Sequence, residues 1–178
     1  MTGPPGSGKT AILERIRAQI RCVEEPAREV LAAERAHGGE GTWDRNRARF
    51  IELLLQRSIE KYEHGRRLNE TVLFDRGVPD CIVYAIRAGT DSATSREAAE
   101  AFRYERRAFY LEPWSDIYRT DEERIMSFED TVSFDRSLRD VYRELGYTLT
   151  RVPRGSVDER AQFILARIAG SEDASAIS

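Results

Sequence analysis

Gly3-Pro4-Pro5-Gly6-Ser7-Gly8-Lys9-Thr10 places a lysine and a hydroxyl directly behind a glycine-rich run, with the spacing G-x-x-x-x-G-K-[ST]. Each part answers a chemical need. The glycines let the backbone curl so that successive N–H groups point at phosphate oxygens. A helix starting at the end of the run adds partial positive charge. Lys9 reaches the β- and γ-phosphates, and the Thr10 hydroxyl binds Mg²⁺. The pattern predicts a site for a nucleoside triphosphate with magnesium. Because no Asn-Lys-x-Asp guanine motif occurs, ATP is the expected nucleotide. Basic residues are nearly all arginine, and only Lys9 and Lys61 are lysines, so a lysine inside a motif carries weight.

A second group follows an apolar strand. Asp75 ends Thr71 to Asp75 and precedes Arg76, Gly77, Pro79 and Asp80. A carboxylate at the C-terminal end of a parallel strand sits at the ligand edge of the sheet, where it can hold Mg²⁺ directly or through water. ATP-driven motors usually follow this acid with a second one that orients water. Arg76 stands there instead, a pairing similar to that of nucleoside and nucleotide kinases, where the arginine holds phosphate or acceptor. The competing reading is a plain salt bridge on a turn.

The acceptor side falls to Glu25, Arg28 and Asp80. Glu24 and Glu25 end another strand, and Arg28 lies one helical turn on. Glu25 is the preferred base for an attacking hydroxyl, with Arg28 orienting it or the acceptor. Acids near the positive end of a helix are also common for electrostatic reasons alone. Arg119 and Arg124 lie in the charged stretch 112–124, where a closing segment of a kinase would bring arginines to the transferred phosphoryl group. Arg124 is the first choice; a solvated charged loop is the alternative. Asp44 and Gln56 read as ordinary residues of a long helix, Trp43 and Phe50 as core, and His37 and His64 as isolated from any metal-ligand spacing.

These residues must be carried by alternating strands and helices, which predicts an α/β fold: a three-layer P-loop NTPase with a parallel sheet flanked by helices. Expected helices run from about Lys9 to Gln19, from Pro26 to Ala36, Trp43 to Glu63, Asp80 to Ala88, Ser95 to Arg106, Phe128 to Leu145 and Val157 to Ala169. Expected strands are Ile20 to Glu24, Thr71 to Asp75, Ala108 to Leu111 and Tyr147 to Val152, with Gly146 capping the helix before the last strand. The phosphate loop normally follows a central strand, yet only Met1 and Thr2 precede it, so the first strand is expected to be missing from this chain. One domain over 1–169 and a disordered tail over 170–178 complete the plan.

The chain has 178 residues, 40% hydrophobic and 33% charged, with net charge −3 and pI about 5.6. That acidic balance argues against a nucleic-acid partner. No apolar run approaches the ~20 residues of a membrane span. The chain opens on a glycine-rich turn, so no signal peptide is expected, and Cys22 and Cys81 read as reduced thiols of a cytoplasmic protein.

The order of motifs also carries a resemblance: G-P-P-G-S-G-K-T, E-P-A-R-E, F-D-R-G-V-P-D, E-P-W-S-D-I-Y-R-T-D-E-E-R, and Y-R-E-L-G-Y-T-L-T-R-V-P-R-G-S-V-D-E-R. It resembles the AAA-domain "predicted ATPase" family, P-loop proteins related to the nicotinamide riboside kinase domain, over nearly all of Gly3 to Leu165. The resemblance implies that Gly8, Lys9 and Thr10 form the triphosphate and magnesium site, that Asp75 is the strand-end acid, and that Glu25, Arg28 and Arg124 take the acceptor and lid positions. It implies that 152–157 packs the base. The expected activity is transfer of the ATP γ-phosphoryl to an unidentified small-molecule, nucleoside-like acceptor. A regulatory ATPase or switch without such an acceptor is the alternative. An oligomeric motor ranks last, because the double acid and room for a second helical domain are lacking.

Overall fold

The strand-forming runs are short, and each is hydrogen-bonded in parallel to a partner distant in sequence. In the computed structural model, which describes residues 1–118 and 126–175, β1 (Arg21–Val23) pairs with β2 (Val72–Phe74), and β3 (Arg107–Tyr110) pairs with β4 (Thr148–Arg151). The registers are Cys22 opposite Leu73 and Phe109 opposite Thr150. Two residues join these pairs. The Met1 amino group donates to the Phe74 carbonyl at 2.8 Å, and the Arg76 N–H donates to the Met1 carbonyl at 2.9 Å. On the other side the Thr2 N–H donates to Phe109 at 2.8 Å, and the Leu111 N–H donates to Thr2 at 3.0 Å. The order across the sheet is therefore β1, β2, Met1–Thr2, β3, β4. Two residues stand where the sequence reading expects a missing central strand, and they lead straight into the phosphate loop.

Helices cover both faces, as parallel strands require. α1 (Lys9–Ile16) and α7 (Val157–Ser175) pack on one face, where Ile12, Ile16 and Ile164 meet Leu73, Phe109 and Leu111. On the other face, α2 (Pro26–His37), α3 (Arg47–Arg66), α4 (Val78–Ala88), α5 (Ala93–Ala101) and α6 (Phe128–Glu144) bury Phe50, Ile82, Phe134 and Leu138 with Tyr110. Phe109 and Leu111 point one way and Tyr110 the other, the period-2 alternation of a strand covered twice. Leu138 and Ile164 are fully buried, and truncating such a side chain to alanine costs about 2–5 kcal/mol.

Local chemistry explains where elements begin and where the sequence reading misses. α3 starts at Arg47 because the Asn46 side chain accepts from the Arg49 N–H at 3.0 Å, so Trp43 and Asp44 lie in the preceding turn, not on the helix. Trp43 still packs edge-on against Phe50, with ring centroids 6.0 Å apart. α5 stops at Ala101, short of the expected Arg106. There Phe102 leaves helical geometry and Tyr104 inserts between Phe74 and Tyr62, with centroids 5.1 and 5.0 Å away. Ser127 caps α6 by accepting from the Asp130 N–H at 3.1 Å, and Gly146 follows its end at φ 78°. α7 continues to Ser175, past the Gly170 at which the expected tail begins. The stretch after β3 holds a 3-10 turn at Ser115–Ile117.

Candidate functional site

The loop between Thr2 and α1 takes its shape from glycine. Gly3 sits at φ 148°, and a Cβ there would lie 2.4 Å from the Leu111 carbonyl oxygen, so no other residue fits without parting Thr2 from β3. Lys9, only 5% exposed, folds back across the loop. Its Nζ donates to the carbonyls of Gly3 at 2.8 Å and Pro4 at 2.9 Å, and to Ser7 Oγ at 3.3 Å. Burial, with help from the nearby Arg76 charge, pulls the ammonium down to about 8 against the opposing pull of Asp75. Thr10 is exposed in the first turn of α1.

Asp75 leaves the end of β2 with its N–H bonded to Val23 O at 2.8 Å. The carboxyl is buried, and its Oδ1 has no hydrogen-bond partner among the described residues. Burial raises its pKa; Lys9 opposes that rise, and Glu25 reinforces it. A buried carboxylate oxygen without a donor is the hard ligand type that suits a cation such as magnesium, and the Thr10 hydroxyl is an oxygen of the same class.

Arg76 adopts φ 67°, an uncommon left-handed geometry for a residue with a side chain. This turn swings the chain from β2 into α4 and aims the guanidinium inward, where it is 3% exposed. Nε donates to Glu25 Oε1 at 2.7 Å, Nη1 donates to Asp80 Oδ1 at 2.9 Å, and the group lies 5.6 Å from the Phe134 ring centroid. Asp80 also accepts from Thr2 Oγ1 at 3.0 Å, from the Gly77 N–H at 3.1 Å and from the Tyr142 hydroxyl at 2.6 Å. Both oxygens of Asp80 are thus engaged within the fold, tying the start of α4 to Thr2 and α6. Each oxygen accepts two hydrogen bonds from the fold itself.

Glu25, at the start of α2, is held on one side by Arg76 and on the other by Arg28, whose Nε lies 3.4 Å from Oε2. Burial alone would raise this carboxyl, but Arg76 and Lys9 outweigh it and hold it at about 2. Arg28 itself is half exposed. The structure thus draws Lys9, Glu25, Asp75, Arg76 and Asp80 into one electrostatic cluster at the C-terminal ends of β1 and β2. Arg119 and Arg124 lie outside the described residues. Asp44 and Gln56 are exposed and away from this cluster, and Gln56 bonds Glu60 along α3.

Sequence reasoning missed Arg160. It belongs to the first turn of α7 and is 5% exposed, and its Nη2 donates to the Ser7 carbonyl at 2.7 Å. It stands 153 positions from the loop it touches. The one signal was its place in the terminal V-P-R-G-S-V-D-E-R segment.

Comparison with known proteins bears on the fold and the family. Shikimate kinase from Acinetobacter baumannii, solved in complex with shikimate, superposes with a TM-score of 0.54 over 96% of this chain and 91% of that one, at 17% identity. That likeness establishes a P-loop kinase fold. No curated protein matches in sequence. Among the described residues, no helix is long and apolar enough to cross a membrane. A family model described as an AAA domain matches residues 1–160, and the chain belongs to that family of P-loop NTPase-like proteins.

Proposed function

We propose that this protein binds MgATP and transfers its γ-phosphoryl group to a hydroxyl of a small, nucleoside-like acceptor. One observation carries the reading: two carboxylates, Glu25 and Asp75, stand at adjacent strand ends in the field of Lys9, one held and one open. A held, ionised carboxylate suits a hydroxyl that must be oriented. An open, buried one suits a cation that accompanies phosphate.

In this scheme the loop N–H groups and Lys9 take the β- and γ-phosphates, which draws the Lys9 ammonium away from the loop carbonyls it now bonds. Thr10 and Asp75 would hold magnesium, which supplies charge neutralisation on the phosphate oxygens. Glu25 Oε1 stays with Arg76, and Oε2, with Arg28 Nε 3.4 Å away, accepts the hydrogen bond from the acceptor hydroxyl. A carboxylate at about 2 is a weak base. Phosphoryl transfer has a loose transition state and depends mostly on positioning, so the proton need move to Glu25 only late. Arg28, half exposed beside Glu25, would orient Glu25 or the acceptor. The arginine lid, with Arg124 first and Arg119 second, completes the proposal as charge stabilisers of the transferred group.

The test is ADP release from MgATP with and without a panel of nucleosides that includes nicotinamide riboside, with Lys9→Ala as the control for contaminating activity. Acceptor-stimulated release that disappears in Lys9→Ala establishes the kinase. Slow release indifferent to every acceptor assigns the protein to the regulatory ATPase reading instead.

A further inference from the structure

The motif supplies the phosphate loop with one cation, Lys9, and the fold brings a second. Arg160 is buried to the same degree as Lys9, each 5% exposed. Its Nη2 holds the Ser7 carbonyl at 2.7 Å, and its Nη1 lies 2.7 Å from where a Cβ on Gly8 would stand. The guanidinium is 5.6 Å from the Trp114 ring centroid, with Arg154 also near that ring at 5.7 Å.

Two features set Arg160 apart from the other deeply buried arginine. Arg76 is paired with two carboxylates, whereas among the described residues no carboxylate lies within ion-pair distance of Arg160. Its Nε is buried and has no hydrogen-bond partner among the described residues. A buried guanidinium without a counter-charge is unfavourable in the ligand-free protein, and an anion brought to the loop relieves it. The hydrogen bond to Ser7 also has a geometric effect. In a planar trans peptide the C=O and N–H point in opposite directions. Fixing the Ser7 carbonyl toward α7 therefore aims the Gly8 N–H the other way and polarises it as a donor.

We infer that Arg160 is a positioning residue for bound polyphosphate: it orients the Ser7–Gly8 peptide, and its charge is balanced by the phosphates of the nucleotide instead of by an acid among the described residues. The inference rests on the nucleotide reading of the loop. It predicts opposite effects in the two states. Removing the charge leaves the ligand-free fold intact or firmer, and it weakens the hold on polyphosphate.

The experiment compares the parent with Arg160→Gln and Arg160→Lys, using MgATP and inorganic tripolyphosphate as probes. The readouts are Kd at several salt concentrations and the thermal midpoint without ligand. Arg160→Gln should keep or raise that midpoint, weaken both probes about tenfold, and flatten the dependence of Kd on salt. Arg160→Lys, which keeps the charge, should stay within about threefold of the parent with the parent's salt dependence. A ligand-free midpoint for Arg160→Gln more than about 5 °C below the parent, or failure to fold, would make Arg160 a structural tie and overturn the inference. Equal affinity in Arg160→Gln and the parent, or equal weakening in both variants, would overturn it as well. A parent that binds neither probe removes the nucleotide reading and this inference together. A parent that binds while Arg160→Gln binds equally removes only this inference.

Discussion

Arg76 donates from Nε to Glu25 Oε1 at 2.7 Å, across 51 positions of sequence, while its Nη1 reaches Asp80 at 2.9 Å. The guanidinium is the shared counter-charge of two carboxylates that α2 and α4 bring into the interior. Deleting it leaves both acids without that partner. Arg76→Met is expected to destabilise the fold by about 3–5 kcal/mol, the range for breaking a buried pair by removing one member. Urea unfolding of Arg76→Met, Glu25→Gln and the double variant measures it. The double variant should be more stable than the sum of the singles predicts, because the two changes share one interaction. Strict additivity would show that the contact contributes nothing.

Asp75→Asn tests the open carboxylate. Burial favours the neutral form of this group, so its ionised form opposes folding near neutral pH. A neutral amide of the same shape is expected to raise the ligand-free thermal midpoint by a few degrees, at about 2–4 °C per kcal/mol for a chain of this size. The same change should abolish stimulation of ATP turnover by magnesium. Differential scanning with and without MgCl₂, alongside ADP release, reads both. A lower midpoint together with unchanged magnesium dependence would remove Asp75 from the metal site.

The placement of the candidate residues was legible where it depends on local sequence. Gly3 to Thr10 is contiguous, and its shape lies in backbone and spacing, so the motif alone predicts the curled loop that the structure contains. Asp75 was legible from its place at a strand end. The surroundings of Asp80 and Arg160 were not, because both depend on partners far along the chain. Asp80 meets Tyr142 only after α4 packs on α6, and Arg160 meets Ser7 only after α7 packs on α1. In a chain whose basic residues are nearly all arginine, residue type gave no signal either. The start of α3 was misread because the apolar period runs through Trp43, whereas the boundary is set by one side-chain hydrogen bond at Asn46.

Gly65 shows tertiary packing overruling helix propensity. In an exposed helix interior, alanine is more favourable than glycine by about 1 kcal/mol. At Gly65, near the end of α3, an added Cβ would lie 2.4 Å from Phe74 Cζ, and that ring is already packed edge-on against Tyr104 at 5.1 Å. Gly65→Ala is expected to lower stability by about 1–3 kcal/mol despite its better propensity. Phe74 immediately precedes Asp75, so turnover should fall with it. Chemical denaturation and ADP release on the same preparation check the pair of effects; a more stable variant would show that Phe74 moves aside freely.

Glu25→Gln separates orientation from folding, and pH supplies the second axis. The folded carboxyl lies at about 2, below its ordinary 4.5, because Arg76 and Lys9 outweigh the opposing effect of burial. A depressed carboxylate pKa means that the unfolded chain binds the proton first. The contribution of Glu25 to stability is therefore complete above about pH 4.5 and is lost as pH falls toward about 2. Glu25→Gln should show a shallower loss of stability across that acid window than the parent, measured by urea midpoints at stepped pH. At neutral pH the variant should keep ATP affinity within about threefold while acceptor-dependent turnover falls about 100-fold or more, the range for removing a positioned proton acceptor. Because Glu25 is ionised throughout, the parent's turnover should show no acid limb from this group between pH 5 and 7. Unchanged turnover in Glu25→Gln would leave the residue as the structural partner of Arg76 alone and move the search for the proton acceptor elsewhere in the site.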